Sequence, residues 1–337
     1  MTTTNPDTSR LVGDIGGTHA RFAVATAAGE LRAVRMVETR EYASLQLALN
    51  GYLGTLGHAP PRRACLAVAA PVVGDHIAFT NCEWRFSISQ LQTAMHFDAL
   101  AVINDFAAIA HALPALHGND LLQIGGETRD AAAPQVIIGP GTGCGVAIVV
   151  PDGDGSRVIS TQGGHASIGA ANAEELWLLG DLLRHDAPVS REDLLSGRGL
   201  EAIYHSVCRR HGANAASLSA SQISDRALIG EDAHCCEALQ LFCAFLGTAA
   251  GDQALASGAL GGVFLAGGIV PRLAEFLRAS QFRYRFENHP PMQDYLRPIP
   301  VYLIMHANPG LLGAARAWDS APLAVQLSHP TAIHSQP

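Results

Sequence analysis

Two stretches of the 337-residue chain repeat one pattern, and this repeat constrains the fold more than any other feature. Residues 10–24 and 136–149 each read as apolar strand, Gly-Thr turn, apolar strand, with Thr18 aligned on Thr142. Each is a β-hairpin pattern whose glycines are expected to supply left-handed backbone positions. One such hairpin opening each half predicts a duplicated α/β unit, with two lobes whose turns grip phosphate across a cleft. A hairpin repeat that holds no ligand is the alternative. The length favours two lobes, because single cores stop growing at about 250–300 residues.

In the first half, strand-like runs at 32–39, 64–70, 76–80 and 100–104, with a helical pattern from Ser87, predict a mixed sheet with helices. The second half is richer in helix, at 173–184, a short turn from Arg191, 200–211 and 232–257, with strands at 262–266 and 301–305. A helix over 309–318 is expected to pack back on the first lobe. The expected division is a small lobe over 1–114 completed by 309–320, a large lobe over 115–308, and a loosely held tail over 321–337.

Only 15% of the residues are charged and the formal charge is −8, with no basic stripe of the kind nucleic-acid binders carry. The N-terminus is polar and lacks a secretory pattern, and the apolar stretch 254–270 is broken by glycines, so no membrane span is expected there. A cytoplasmic enzyme is the expectation. Seven cysteines without C-x-x-C spacing and fifteen dispersed histidines indicate neither a disulfide framework nor a transition-metal site.

Several motifs can carry chemistry. Asp14-Ile-Gly-Gly-Thr18 lacks the lysine of a P-loop and the strand-to-helix context of a dinucleotide site. What remains is a turn whose Gly16 and Gly17 amides and Thr18 hydroxyl can cradle phosphate, beside a carboxylate able to hold hydrated Mg²⁺. An ordinary hairpin turn is the other reading. Gly139-Pro-Gly-Thr-Gly-Cys-Gly145, with Gly141, Thr142 and Gly143 at its tip, is a second nest of the same kind. A third cluster, Gly261-Gly262 and Gly267-Gly268, suits either a flat adenine or close packing of helix on strand. Asn104 and Asp105 stand where a buried strand meets a helix, which fits an N-cap and equally a carboxylate that takes a proton from a hydroxyl. Gln162-Gly-Gly-His165 precedes a helix carrying Glu174 and Glu175, and Ser190-Arg-Glu-Asp193 has the form of a helix cap that places Glu192 in a first turn.

Together these motifs resemble the bacterial ATP-dependent glucokinase family of the hexokinase and actin-like ATPase superfamily, over residues 10–318. The resemblance rests on Leu11-Val-Gly-Asp-Ile-Gly-Gly-Thr-His-Ala-Arg21, Ile103-Asn-Asp-Phe106, Gly141-Thr-Gly-Cys-Gly-Val-Ala147, Gly163-Gly-His165, Leu195-Ser-Gly-Arg-Gly-Leu200, the Gly261–Arg272 run and Val301–Gly313, all in family order. It implies a two-lobed actin-like (ribonuclease H-like) α/β sugar kinase fold and usually a homodimer. The implied reaction moves the γ-phosphoryl of ATP to the 6-hydroxyl of glucose. Asp105 is then the base, and Asn104, Gln162, His165, Glu192, Thr80 and Asn81 are the sugar-binding set. Asp14, Gly16, Gly17, Thr18, Gly141, Thr142 and Gly143 serve phosphates and Mg²⁺, while Gly267 and Gly268 resemble the adenosine site.

The chain departs from the family pattern at His19, commonly Asn, and at Gln162, typically a Glu that contacts the sugar ring. Pro140 and Ala166-Ser-Ile-Gly169 are also unlike it. Two alternatives follow: a related kinase shifted to mannose, fructose or an amino sugar, or a sugar-binding regulator without turnover. The few residues before the first strand leave no room for a helix-turn-helix, and the presence of Asp105 argues against an inactive kinase.

Overall fold

The computed structural model describes residues 9–79, 82–153, 155–183 and 187–318. The chain forms two units, one taking residues up to Ala115 and again from Ala307, the other Leu116–His306.

The first unit contains strands β1 (Arg10–Ile15), β2 (His19–Ala25), β3 (Leu31–Glu38), β4 (Arg63–Val68), β5 (His76–Ala78), β6 (Arg85–Ser87) and β7 (Ala99–Asn104). Five of them make one sheet in the order β3-β2-β1-β4-β7, while β5 and β6 pair separately. Strand β2 is antiparallel to β1 and β3, whereas β4 and β7 run parallel to β1. Side chains alternate across the sheet as strand geometry requires. Leu11, Ile15, Leu100 and Val102 face a core shared with the helix Leu45–Leu53, and Val12, Ala67, Ala101 and Ile103 face the opposite core. That second core is closed by the helices Asp105–Ala112 and Pro309–Ala317. Its small residues allow very close approach: a Cβ added to Gly313 would lie 1.6 Å from the Ala108 carbonyl oxygen. Asp14 is level with Ala67 and Val68 with Asn104, so the carboxyl ends of β1, β4 and β7 share one edge of the sheet.

The second unit contains β8 (Leu121–Gly125), β9 (Gln135–Pro140), β10 (Cys144–Asp152), β11 (Gly155–Thr161), β12 (Val263–Leu265) and β13 (Val301–Ile304), in the order β11-β10-β9-β12-β13-β8. Strand β10 is antiparallel to β9 and β11, and β12 and β13 run parallel to β9. This is the strand order and direction of the first unit repeated, with β8 added at the far edge. The repeat foreseen from two hairpins therefore spans five strands. Its core is organised around the helix Ala233–Ser257, which starts at an Asp232 cap and stops at left-handed Gly258. By length and composition this helix could cross a membrane, but Phe242, Phe245 and Leu246 on it are buried in the unit's core. The buried carboxylate of Glu175 is paired with Arg285, whose Nη2 also donates to Thr248 Oγ1 at 2.7 Å.

The sequence pattern does not anticipate the helices Leu45–Leu53 and Ala220–Leu228, the short helices between residues 274 and 296, or strands β6, β8 and β11. Strands β8 and β11 form the two edges of their sheet. Strand β11 is mostly exposed, so no buried face imposes a period-two pattern on it.

Candidate active site

In the first unit the site grows from the end of β7. Asn104 caps the helix Asp105–Ala112: its Oδ1 accepts from the amides of Phe106 at 3.0 Å and Ala107 at 3.2 Å. The cap reading of this pair thus belongs to Asn104, and such a cap contributes about 1 kcal/mol. Asn104 Nδ2 donates to Asp105 Oδ1 at 2.8 Å and to the Ala70 carbonyl at 3.5 Å, while the Phe106 amide donates to the same Asp105 oxygen at 2.9 Å. Asp105 is held rigidly at the first helical position. Burial, and then the nearby charge of Asp14, push its pKa up to about 7 against the opposing pull of these hydrogen bonds. Asp14, on β1, is also raised by burial, with Arg21 opposing. Arg21 is its cross-strand neighbour on β2, 3.7 Å away.

The Gly16–Thr18 turn follows Asp14 and is braced by Thr39, whose amide donates to the Thr18 carbonyl at 3.0 Å and whose hydroxyl donates to the Gly17 carbonyl at 2.7 Å. The Thr18 side chain is left exposed at the tip. A Cβ on Gly310 would stand 2.7 Å from the Asp14 carboxyl carbon, so the first turn of the helix Pro309–Ala317 lies directly on this carboxylate. The positive end of a helix favours an ionised group there. Neither Thr39 nor Gly310 is singled out by the sequence motifs; the Asn308-Pro-Gly run before a helix was the available signal for Gly310.

In the second unit three motifs converge on the start of β10. Gly141 donates to the Gly143 carbonyl at 2.7 Å to close the hairpin turn, and Thr142 is exposed at its tip. Glu192 accepts the Cys144 amide at 2.9 Å, and a Cβ on Gly143 would lie 2.4 Å from that carboxylate oxygen. The Gly163–His165 turn packs on the other side: a Cβ on Gly164 would meet the Cys144 carbonyl oxygen at 1.8 Å. Gln162 and His165, flanking the buried Gly164, are exposed. The Ser190–Asp193 capping box forms as expected and sets Glu192 in the first turn of the helix Arg191–Leu194. Burial pushes the Cys144 thiol up to about 12, which leaves it inert beside this turn.

The third glycine cluster joins the same region through backbone packing. A Cβ on Gly139 would lie 2.0 Å from the Ala266 carbonyl oxygen, and one on Gly267 would lie 2.2 Å from that of Pro140. Gly267 has φ +97°, a left-handed position, whereas Gly268 has open space around it. The expectation of left-handed glycines in the two hairpin turns is overturned. Gly16, Gly17, Gly141 and Gly143 are not among the positive-φ residues. At Gly143 it is the absence of a side chain, not the backbone angle, that the neighbouring Glu192 requires. Thr80 and Asn81 lie outside the described residues. The other expected residues fall into two sets: Asp14, Gly16–Thr18, Asn104 and Asp105 in the first unit, and Gly141–Gly143, Gln162, His165, Glu192, Gly267 and Gly268 in the second.

A twice-repeated α/β sheet with a Gly-Thr hairpin in each copy is the actin-like sugar kinase fold, and solved structures agree. The crystal structure of a glucokinase from an Antarctic psychrotroph aligns with a TM-score of 0.79 at 41% identity, covering 92% of this chain and 98% of that one. A Balamuthia mandrillaris glucokinase in complex with glucose shares the fold at TM-score 0.80 and 24% identity, covering 93% and 94% of the two chains. The family model described as Glucokinase matches residues 11–321. The glucokinase of Chromobacterium violaceum is 44% identical over 306 residues, 91% of this chain and 88% of its own. That of Aromatoleum aromaticum is 44% identical over 314 residues, 93% and 95% of the two chains. This chain belongs to the glucokinase family.

Proposed function

We propose that the chain transfers the γ-phosphoryl of ATP to the 6-hydroxyl of glucose, giving glucose 6-phosphate and ADP. The observation that carries this reading is the Asp105 carboxyl, locked by Asn104 and the Phe106 amide with its pKa raised to about 7. A base poised near the working pH is the efficient acceptor for a hydroxyl proton. The proton of the attacking hydroxyl passes to Asp105 as its oxygen bonds phosphorus and the bond to the ADP oxygen breaks. The protein's share is positioning and charge neutralisation. Glu192, His165 and Gln162 hold the remaining sugar hydroxyls. The turns at Gly16–Thr18 and Gly141–Gly143 offer amides to the phosphates, and the adenosine lies by Gly267–Gly268.

The residues fit Mg²⁺. Among the described residues there is no group of three acidic, His or Cys side chains for a fully protein-held metal. Mg²⁺ ordinarily takes one or two carboxylates and leaves its other positions to water and substrate phosphates. Asp14 would hold it through water, and the ion's charge would relieve the repulsion between Asp14 and Asp105. When bound, it supplies charge neutralisation at the phosphates.

Gln162 favours a second reading, a kinase of a related hexose, because an amide stands in its exposed turn where the family carries Glu. Family resemblance also supports a homodimer, which light scattering tests, and the sequence pattern leads us to propose a cytoplasmic location, which cell fractionation tests. The deciding experiment offers glucose, mannose, fructose and glucosamine in turn with ATP and Mg²⁺ and measures ADP release. Glucose should give the highest kcat/KM; a better alternative hexose moves the assignment to that sugar, and no turnover of any overturns it.

A further inference from the structure

We propose that Arg191 and Asp252 form a positioning pair that sets His165 and Gln162 in register with Glu192; the inference rests on the sugar-binding role assigned above. Arg191 opens the helix Arg191–Leu194 and its side chain is only 9% exposed. Its Nη1 donates to the Gly163 carbonyl at 3.1 Å, and its backbone amide donates to the Ala166 carbonyl at 2.9 Å. One residue therefore holds the carbonyls on both sides of His165. The next residue, Glu192, holds the Cys144 amide at 2.9 Å. Two consecutive residues thus tie the Gly163–His165 turn to the Gly141–Gly143 hairpin.

The anchor is Asp252 on the core helix Ala233–Ser257, whose Oδ2 accepts from Arg191 Nη2 at 3.3 Å. His289 Nδ1 stands 3.6 Å from the other oxygen of this carboxylate. The neighbouring Gln253 crowds the turn as well, with its Nε2 3.3 Å from where a Gly163 Cβ would lie. The arrangement is poor as a purely stabilising device. Arg191 Nε is buried without a partner among the described residues, and an incompletely satisfied buried charge is often no better than an apolar residue. A planar, forked donor that spans a carbonyl and a carboxylate at once is what fixing a turn requires, and lysine cannot reproduce it.

The test compares the wild type with Asp252→Asn, which is isosteric and keeps an acceptor, and with Arg191→Lys. For both variants KM for glucose should rise about tenfold, the scale of losing one charge-assisted hydrogen bond, while KM for ATP stays within about twofold. Amide exchange at His165 and Ala166 should accelerate by a similar factor with no change along the helix Ala233–Ser257. Equal losses toward both substrates, or unchanged exchange at residues 163–168 in a folded Asp252→Asn protein, overturn the proposal. If the wild type turns over no hexose, the functional reading fails by itself. The exchange comparison still decides whether the pair holds the turn.

Discussion

The two units carry one sheet twice, yet they prepare their strand ends in opposite ways. In the first, the carboxyl ends of β1 and β7 bring Asp14 and Asp105 together; burial raises both carboxylates, and the charge of Asp14 raises Asp105 further. In the second, the end of β9 and the start of β10 meet Ala266–Gly267 and Gly164 through backbone contacts, and the Glu192 carboxylate through its side chain, too tightly for a Cβ at several positions. One half stores its chemistry as electrostatic tension, the other as steric exactness of the main chain. Both units hold glycines that admit no Cβ, Gly313 in the first among them. At the strand ends, however, the first should respond most to charge-changing substitutions and to pH, and the second to the addition of a single methyl group.

The largest effect should come from the charged half. Asp105→Asn keeps the size of the side chain and removes the proton acceptor, so kcat should fall roughly 10²–10⁴-fold. The same variant should be more stable than the wild type at alkaline pH. The sign follows from linkage: with the folded pKa raised to about 7 from 3.8, the folded state holds its proton more tightly, so wild-type stability falls as pH rises through that window and is level above it. Melting temperatures of the two proteins should diverge between about pH 4 and 7 and then run parallel. A stability gap that is flat with pH would detach the raised pKa from Asp105. Activity limited by the same group should rise with pH through about 7 in kcat/KM.

A methyl group tests the other half. Gly164→Ala drives a Cβ to 1.8 Å from the Cys144 carbonyl oxygen. The forced shift should cost about 2–3 kcal/mol, read as a melting point lower by about 5–10 °C in calorimetry. An unchanged melting point would mean that the glycine turn yields easily and that the contrast between the units is false.

Next in size is Gln162→Glu. A carboxylate accepts two charge-assisted hydrogen bonds from ring hydroxyls where the amide offers one neutral acceptor, so kcat/KM for glucose should rise about 5–30-fold. The KM for ATP should stay put. A fall on glucose, with another hexose preferred by the natural protein, would make Gln162 a specificity determinant for that sugar. The smallest structural effect belongs to Gly268→Ala. No atom lies within 4 Å of its added Cβ, so the melting point should hold within about 1 °C while KM for ATP rises. An unaffected KM for ATP would place the adenosine elsewhere.

Local chemistry was legible in the chain where a short segment writes its own structure. The two hairpins, the Ser190–Asp193 cap, the Asp232 start of the long helix and the strand-to-helix step at Asn104 all depend on neighbours within a few residues. The family pattern likewise sits in contiguous runs. Five-strand duplication was not legible, because β4 and β12, or β7 and β13, correspond only in their place beside a parallel neighbour. Nor were the reasons for individual glycines. Gly143 and Gly164 answer to Glu192 and Cys144, residues 49 and 20 positions away in sequence, and Gly310 to Asp14 across nearly the whole chain. The sequence by itself determined which residue types stand at each turn and cap, since backbone preference is local. Only the tertiary structure decided that Asp105 titrates near 7 and that Arg191 grips the turn around His165, since desolvation and charge act between groups the chain brings together only by folding.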